Sequence, residues 1–202
     1  MRRWLAAAAF ILLAAPALAQ EDGQGDPGGD VLLFRPPDGW SPAQQEKADG
    51  VYRILYLPDG STIDDWRLSL TARIFFNLSR DRPDLSAADF TENLVRFYGQ
   101  ACSGGHASPQ SSYEEDGYDV AVRVVSCPRS VGEDLGSVSM IKVMRGEASF
   151  FVLERVWRGP PFAADADPVP QATFDTWAEF LSRSRLCNTT LASRPCPAGV
   201  AP

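Results

Sequence analysis

The chain has a single histidine, His106, in the segment Ser103-Gly104-Gly105-His106-Ala107-Ser108. A lone imidazole flanked by serines has the residue types for general-base activation of a hydroxyl. The context is not that of a nucleophile: no G-x-S-x-G elbow occurs anywhere in the sequence. One histidine also cannot furnish a multi-histidine metal centre. The segment reads as a solvated glycine-rich loop, and a small hydrolase built on His106 or on a carboxylate pair is the alternative. Carboxylates cluster at Asp59, Asp64 and Asp65, at Glu114, Glu115 and Asp116, at Glu133 and Asp134, and at Asp165 and Asp167. A pair of acids can hydrolyse glycosides or hold calcium. None of these clusters matches D-x-[DN]-x-[DN]-G, and the preference of Asp for turns accounts for their positions. No metal ligand set and no cofactor are expected.

The arginines suggest binding. Arg53, Arg67, Arg73, Arg123 and Arg155 all fall inside predicted strands. A guanidinium presents a planar fork of donors that fits carboxylate or phosphate. With suitable strand register these side chains would line one sheet face, suited to a small anionic ligand or the acidic surface of a partner protein. Arg67, Arg73, Arg123 and Arg155 are the candidate binding residues. The plainer expectation is outward-facing arginines paired with acids such as Asp119 or Glu154. Replacing Arg67 and Arg73 together with alanine is expected to weaken capture of a partner with little change in melting temperature.

The four cysteines, Cys102, Cys127, Cys187 and Cys196, lie in the second half of the 202-residue chain. An even number in an exported protein suggests two disulfides, and the local pairing Cys102–Cys127 with Cys187–Cys196 is favoured among three possibilities. Export is expected from the start of the chain. Arg2 and Arg3 precede the apolar run Trp4–Ala15, and Ala17-Leu18-Ala19 is a small-x-small cleavage site. Residues 1–19 therefore read as a signal peptide cut after Ala19, giving a periplasmic or secreted protein.

The formal net charge is −7, which gives no general electrostatic reason to bind nucleic acid. No later apolar run is long enough to span a membrane as a helix. Residues 20–30 form an acidic, glycine-rich tether. Residues 31–187 are expected to make one α+β domain, and 188–202 a Pro-rich tail stapled by Cys196.

Those candidate residues must be positioned by a small set of elements. Val31–Phe34 reads as an edge strand, and Ser41–Asp49 as a polar helical turn. Val51–Phe76 is a hairpin around Pro58-Asp59-Gly60. In its second strand Trp66, Leu68, Leu70, Ala72, Ile74 and Phe76 share one face, and Arg67, Ser69, Thr71, Arg73 and Phe75 the wetter one. Both predicted helices should pack on the first face. Ser86-x-x-Asp89 opens a helix over Ala87–Ala101. Ser111–Glu115 and Tyr118–Cys127 flank Asp116-Gly117, a two-residue hairpin signal. Ser137–Met144 and Ala148–Trp157 form a further pair, the latter apolar on both faces and therefore central. A second helix should span Gln171–Leu186. The fold class is thus α+β: an antiparallel sheet of six to seven strands with two main helices packed on it.

This element order, together with Pro37-Asp38-Gly39-Trp40 at the start, resembles the PsbP/Mog1-like α/β sandwich over Val31–Leu186. The four cysteines and the stapled tail depart from that pattern. The resemblance implies a binding or assembly module rather than an enzyme with a shared catalytic set, and it transfers no functional residue. The leading expectation is therefore a non-enzymatic exported binding module. An envelope structural protein that meets another subunit through Phe150-Phe151-Val152-Leu153 is a further alternative.

Overall fold

The computed structural model describes residues 28–199 of the chain. The expected signal peptide and most of the expected tether lie outside the described residues. In chain order the elements are β1 (Asp30–Leu33), β2 (Trp40–Ala48), β3 (Val51–Pro58), β4 (Leu68–Phe75), α1 (Leu78–Asp81), α2 (Ala87–Gln100), β5 (Cys102–Ser103), β6 (His106–Ala107), β7 (Ser111–Glu115), β8 (Tyr118–Cys127), β9 (Arg129–Ser130), β10 (Gly136–Arg145), β11 (Phe150–Gly159), α3 (Gln171–Arg183) and β12 (Arg185–Asn188). The main sheet runs β2-β3-β4-β11-β10-β8-β6, with β7 also paired to β8, and every pairing is antiparallel. The expected α+β class holds, with eight strands in place of six or seven.

Period-2 alternation places the two helices on opposite faces of this sheet, not on one. Leu70, Ala72, Phe151, Leu153, Val138 and Met140 point toward Trp177 and Leu181 of α3. Ala121, Ile141, Val143, Phe150 and Val152 point toward Ala87 and Phe90 of α2. The face of β4 that read as wetter is thus the one that α2 partly roofs. Burial on both faces explains why β11 is apolar at successive residues from Phe150 to Leu153, as its sequence predicts.

Helix α2 begins as its capping box dictates. The Ser86 hydroxyl accepts from the Asp89 amide at 3.0 Å, and the Asp89 carboxylate accepts from the Ser86 amide at 3.3 Å. Asp119 of β8 accepts from the Ala87 amide at 2.7 Å and ties the helix start to the sheet.

Helix α3 stops at Arg183, short of the expected Leu186. The cause is Lys142 on β10. Its ammonium donates to the carbonyls of Leu181 (2.9 Å) and Ser184 (2.7 Å) and to Glu115 (2.6 Å). Ser184 turns extended, and the chain leaves as β12 to pair with β1. Val31–Phe34 therefore contributes a strand of a separate two-stranded sheet, not an edge of the main one. Asp30, placed by sequence at the end of the tether, is the first residue of β1 and is buried.

The Ser41–Asp49 segment is a strand, not a helical turn. It pairs with β3 from Trp40 opposite Pro58 to Ala48 opposite Val51. Asp49 (φ 51°) and Gly50 (φ 75°) make the connecting turn, the positive-φ geometry that Asp-Gly favours in two-residue hairpins. The disulfides are Cys102–Cys127 and Cys187–Cys196, as favoured from the spacing. No helix among the described residues is long and apolar enough to cross a membrane.

Candidate functional site

Helix α2 covers only part of its sheet face. Beside it lies a cavity of about 640 Å³, within the usual range for small-molecule sites. Its floor is the uncovered part of β4, β11 and β10, including Thr71, Glu154, Ser137 and Ser139; its roof is Val95, Tyr98 and Gly99 of α2; its far wall is the Cys102–Cys127 disulfide. Gly105 lets the chain pass this wall, since a Cβ there would sit 2.9 Å from the Cys102 sulfur.

Four arginines line the cavity: Arg53, Arg73, Arg123 and Arg158. Arg53 and Arg73 face each other across β3 and β4, a like-charge pairing that needs compensation. Arg53 has it in Glu46, at 2.9 Å. Arg73 has it in Glu154, whose carboxylate also accepts from the Tyr98 hydroxyl at 3.0 Å, while Arg73 donates to the same hydroxyl at 2.7 Å. Burial pulls the Arg73 pKa down, but Glu154 and Tyr98 outweigh it and hold the guanidinium charged. Burial, with Glu154, pushes the Tyr98 phenol well up, so it stays a donor. Arg123 pairs with Glu92 and donates to the Ser108 carbonyl at 2.9 Å.

Arg158 differs. It donates from Nε to the Trp66 carbonyl at 3.3 Å and from Nη2 to the Asp64 carbonyl at 3.2 Å, and its guanidinium lies 4.2 Å over the Trp66 ring. Among the described residues no carboxylate is within ion-pair distance of it. Neither Arg158 nor Trp66 was a sequence candidate. The available signal was parity: Arg158 shares the face of Glu154 and Val156, whereas Arg155 does not.

The expected arginine face is therefore only partly assembled. Arg73 and Arg123 line the cavity. Arg67 is exposed outside it, and its carbonyl accepts from the Arg158 amide at 2.8 Å. Arg155 is on the opposite face, 4% exposed, enclosed by Trp40 (4.4 Å), Phe180 (5.4 Å) and Trp177 (5.9 Å). Burial pushes its pKa down to about 10, and its Nε and Nη1 have no hydrogen-bond partner.

His106 is exposed at the cavity wall, its backbone paired with Ser126. It also lines a smaller cavity of about 200 Å³ with Ser108 and Asp167. No hydrogen bond joins these three side chains. The Ser108 hydroxyl instead donates to the Pro109 carbonyl at 3.0 Å and accepts from the Val124 amide at 3.1 Å. The geometry a His106 hydrolase needs is not assembled. The acidic loops have structural partners: Glu115 holds Lys142, Asp116 holds Arg185, and Asp134 holds Arg129. Among the described residues no three His, Cys, Asp or Glu side chains are grouped so as to hold a metal ion.

No family model matches the chain, and no curated protein matches it either. The chain is similar to the crystal structure of LpqN, involved in cell envelope biogenesis of Mycobacterium tuberculosis, with TM-score 0.43 and 15% identity over 81% of this chain and 87% of that one. It is also similar to the solution structure of cyanobacterial PsbP (CyanoP) from Synechocystis sp. PCC 6803, with TM-score 0.49 and 13% identity over 83% of this chain and 98% of that one. The PsbP-like fold expected from the element order is thus among its structural neighbours. The likeness is one of fold and brings no residue role or function to this chain.

Proposed function

We propose that this protein is a non-enzymatic binding module that holds a small anionic ligand in the cavity beside α2. One observation carries this. Four arginines line a single 640 Å³ cavity in a chain of net charge −7, and among the described residues the only carboxylates lining it are Glu133 and Glu154. Arg158 supplies the positive charge that no acid among the described residues neutralises, and Arg53, Arg73 and Arg123, paired with Glu46, Glu154 and Glu92, add N–H donors around it. A partly enclosed concavity suits a small molecule better than the flat surface of a protein partner. The protein works in the periplasm or the medium, released by cleavage after Ala19. The two disulfides support an oxidising compartment, since such bonds persist there and are rare in the cytosol.

The test uses 1-anilinonaphthalene-8-sulfonate, an anionic dye with an apolar body. The wild-type protein should bind it saturably at one site, with a rise in fluorescence. Ser139→Phe, which projects a ring from the cavity floor, should abolish that binding while the protein stays folded. Dye binding that survives Ser139→Phe, or no saturable binding at all, would overturn the assignment.

A further inference from the structure

The cavity has four arginines, and among the described residues only one of them lacks an acid of its own. Arg53, Arg73 and Arg123 are neutralised by Glu46, Glu154 and Glu92. Arg158 is held by two main-chain carbonyls and the Trp66 ring, contacts that fix its plane without cancelling its charge. A guanidinium has five N–H donors. The two carbonyls engage two of them, so about three remain.

Strand register shows what lies beside it. Ser137 is opposite Arg158, and Cys127 is opposite Ser137. One row of the cavity floor thus passes from a guanidinium, through a hydroxyl with no hydrogen bond among the described residues, to the disulfide. The neighbouring row is Val156, Ser139, Val125 and Ala107. Along the Arg158 row polarity falls from β11 to β8 over two inter-strand steps, roughly 10 Å. Val95 of α2 roofs the apolar end.

Resting on the assignment of the cavity as an anionic-ligand site, we propose that Arg158, assisted by Ser137, anchors the acid group of an amphiphilic carboxylate whose apolar body lies toward Val125 and the Cys102–Cys127 disulfide. The ligand class is a monocarboxylate with an apolar chain or ring about 10 Å long, matching the span of the row. The arginine fork meets the carboxylate, and the neutralised arginines keep the site from favouring multiply charged ions.

The test is calorimetric titration of the full mature protein with octanoate, 1-octanol and acetate, which separate head from body. Octanoate should bind, and octanol and acetate should each bind at least tenfold more weakly. Arg158→Gln should weaken octanoate about 10- to 100-fold, the range for losing charge-assisted hydrogen bonds. Arg158→Lys, which keeps the charge but loses the fork, should fall between. Ser137→Ala should weaken octanoate a few-fold with the Trp66 contact untouched, which covers the case of Arg158→Gln misfolding locally. Arg35→Gln removes a charge at an exposed pair with Asp38 outside the cavity and should change nothing. Equal octanoate binding by wild type and Arg158→Gln, abolished by Ser139→Phe, would overturn the Arg158 anchor and leave the cavity assignment standing. Dye binding without octanoate binding would likewise remove only this proposal. Failure of both the dye and octanoate would remove both.

Discussion

The Arg73 guanidinium donates to the Glu154 carboxylate on the sheet face beneath α2, and the Tyr98 hydroxyl bonds to both. The two charged side chains are only 15% and 10% exposed. Removing one partner of such a pair strands the other charge in a desolvated place, which costs about 3–5 kcal/mol. Arg73→Ala should therefore lower the stability by about that amount, read from guanidinium denaturation. This replaces the expectation that the Arg67, Arg73 double variant would change the melting temperature little. Arg67→Ala alone, at an exposed position, should stay within about 0.5 kcal/mol of wild type. The double variant Arg73→Met, Glu154→Met should recover much of the loss, because it removes both charges at once.

Arg155 is the converse case. It is 4% exposed, and among the described residues it has no acid beside it and is compensated by aromatic contacts with Trp40, Phe180 and Trp177. Those contacts contribute about 0.5–2 kcal/mol, against a desolvation cost of several kcal/mol for a buried ion. Arg155→Met keeps the volume and removes the charge, so its melting temperature should equal or exceed wild type, by about 2–4 °C for a gain of 1 kcal/mol. Arg155→Lys should be less stable than either, since an ammonium is more strongly hydrated and stacks less well. A Met variant several degrees below wild type would show that the aromatic cage outweighs burial.

Much of the scaffold was legible because its signals are local. Ser86 and Asp89 set the start of α2, Asp116-Gly117 set the β7–β8 turn, and cysteine spacing gave both disulfides. Asp49-Gly50 carried the same hairpin signal as Asp116-Gly117, but the polar composition of Ser41–Asp49 hid a strand whose side chains are nearly all exposed. The end of α3 was not legible, because it depends on Lys142, some 40 residues earlier. The site was half legible. Arginines in strands pointed to a charged face, but which face each one joins depends on register across four strands. Arg155 and Arg158 lie three residues apart on one strand, so alternation sends them to opposite faces. Arg158, which retains an unneutralised charge in the cavity, was passed over for Arg155, which is sealed beneath α3.

Lys142 couples the sheet to the α3–β12 junction. Its ammonium is fully buried and bonds to Glu115 and to the carbonyls of Leu181 and Ser184. Lys142→Met fills similar volume but takes the Lys142 donor from the Ser184 carbonyl and one of two donors from the Leu181 carbonyl, which keeps the Ser184 amide at 3.3 Å; Glu115, at 20% side-chain exposure, can rehydrate in part. The expected loss is about 2–4 kcal/mol. Hydrogen exchange should show the β12 amides losing protection before those of β10 and β11. Uniform loss across all three would show that Lys142 supports the whole sheet rather than this junction.

Asp30 gives a pH-dependent prediction. Its carboxylate accepts from the Tyr118 hydroxyl at 2.9 Å, the Asn188 amide at 2.8 Å and the Glu147 backbone amide at 2.5 Å. Burial nevertheless dominates and raises its pKa above the ordinary 3.8, with the three hydrogen bonds opposing. In the window from 3.8 upward to the folded-state value, the folded protein therefore binds more protons than the unfolded chain. By linkage this group's contribution to stability falls as pH rises through that window and is least favourable at neutral pH. Asp30→Asn removes the titration and keeps an acceptor for Tyr118. The stability difference, wild type minus Asp30→Asn, should accordingly shift in favour of wild type as the pH is lowered from 7 toward 4. Denaturation midpoints at half-unit pH intervals would measure it. A difference that moves toward the variant on acidification would show that the three hydrogen bonds, not burial, set the charge state of Asp30.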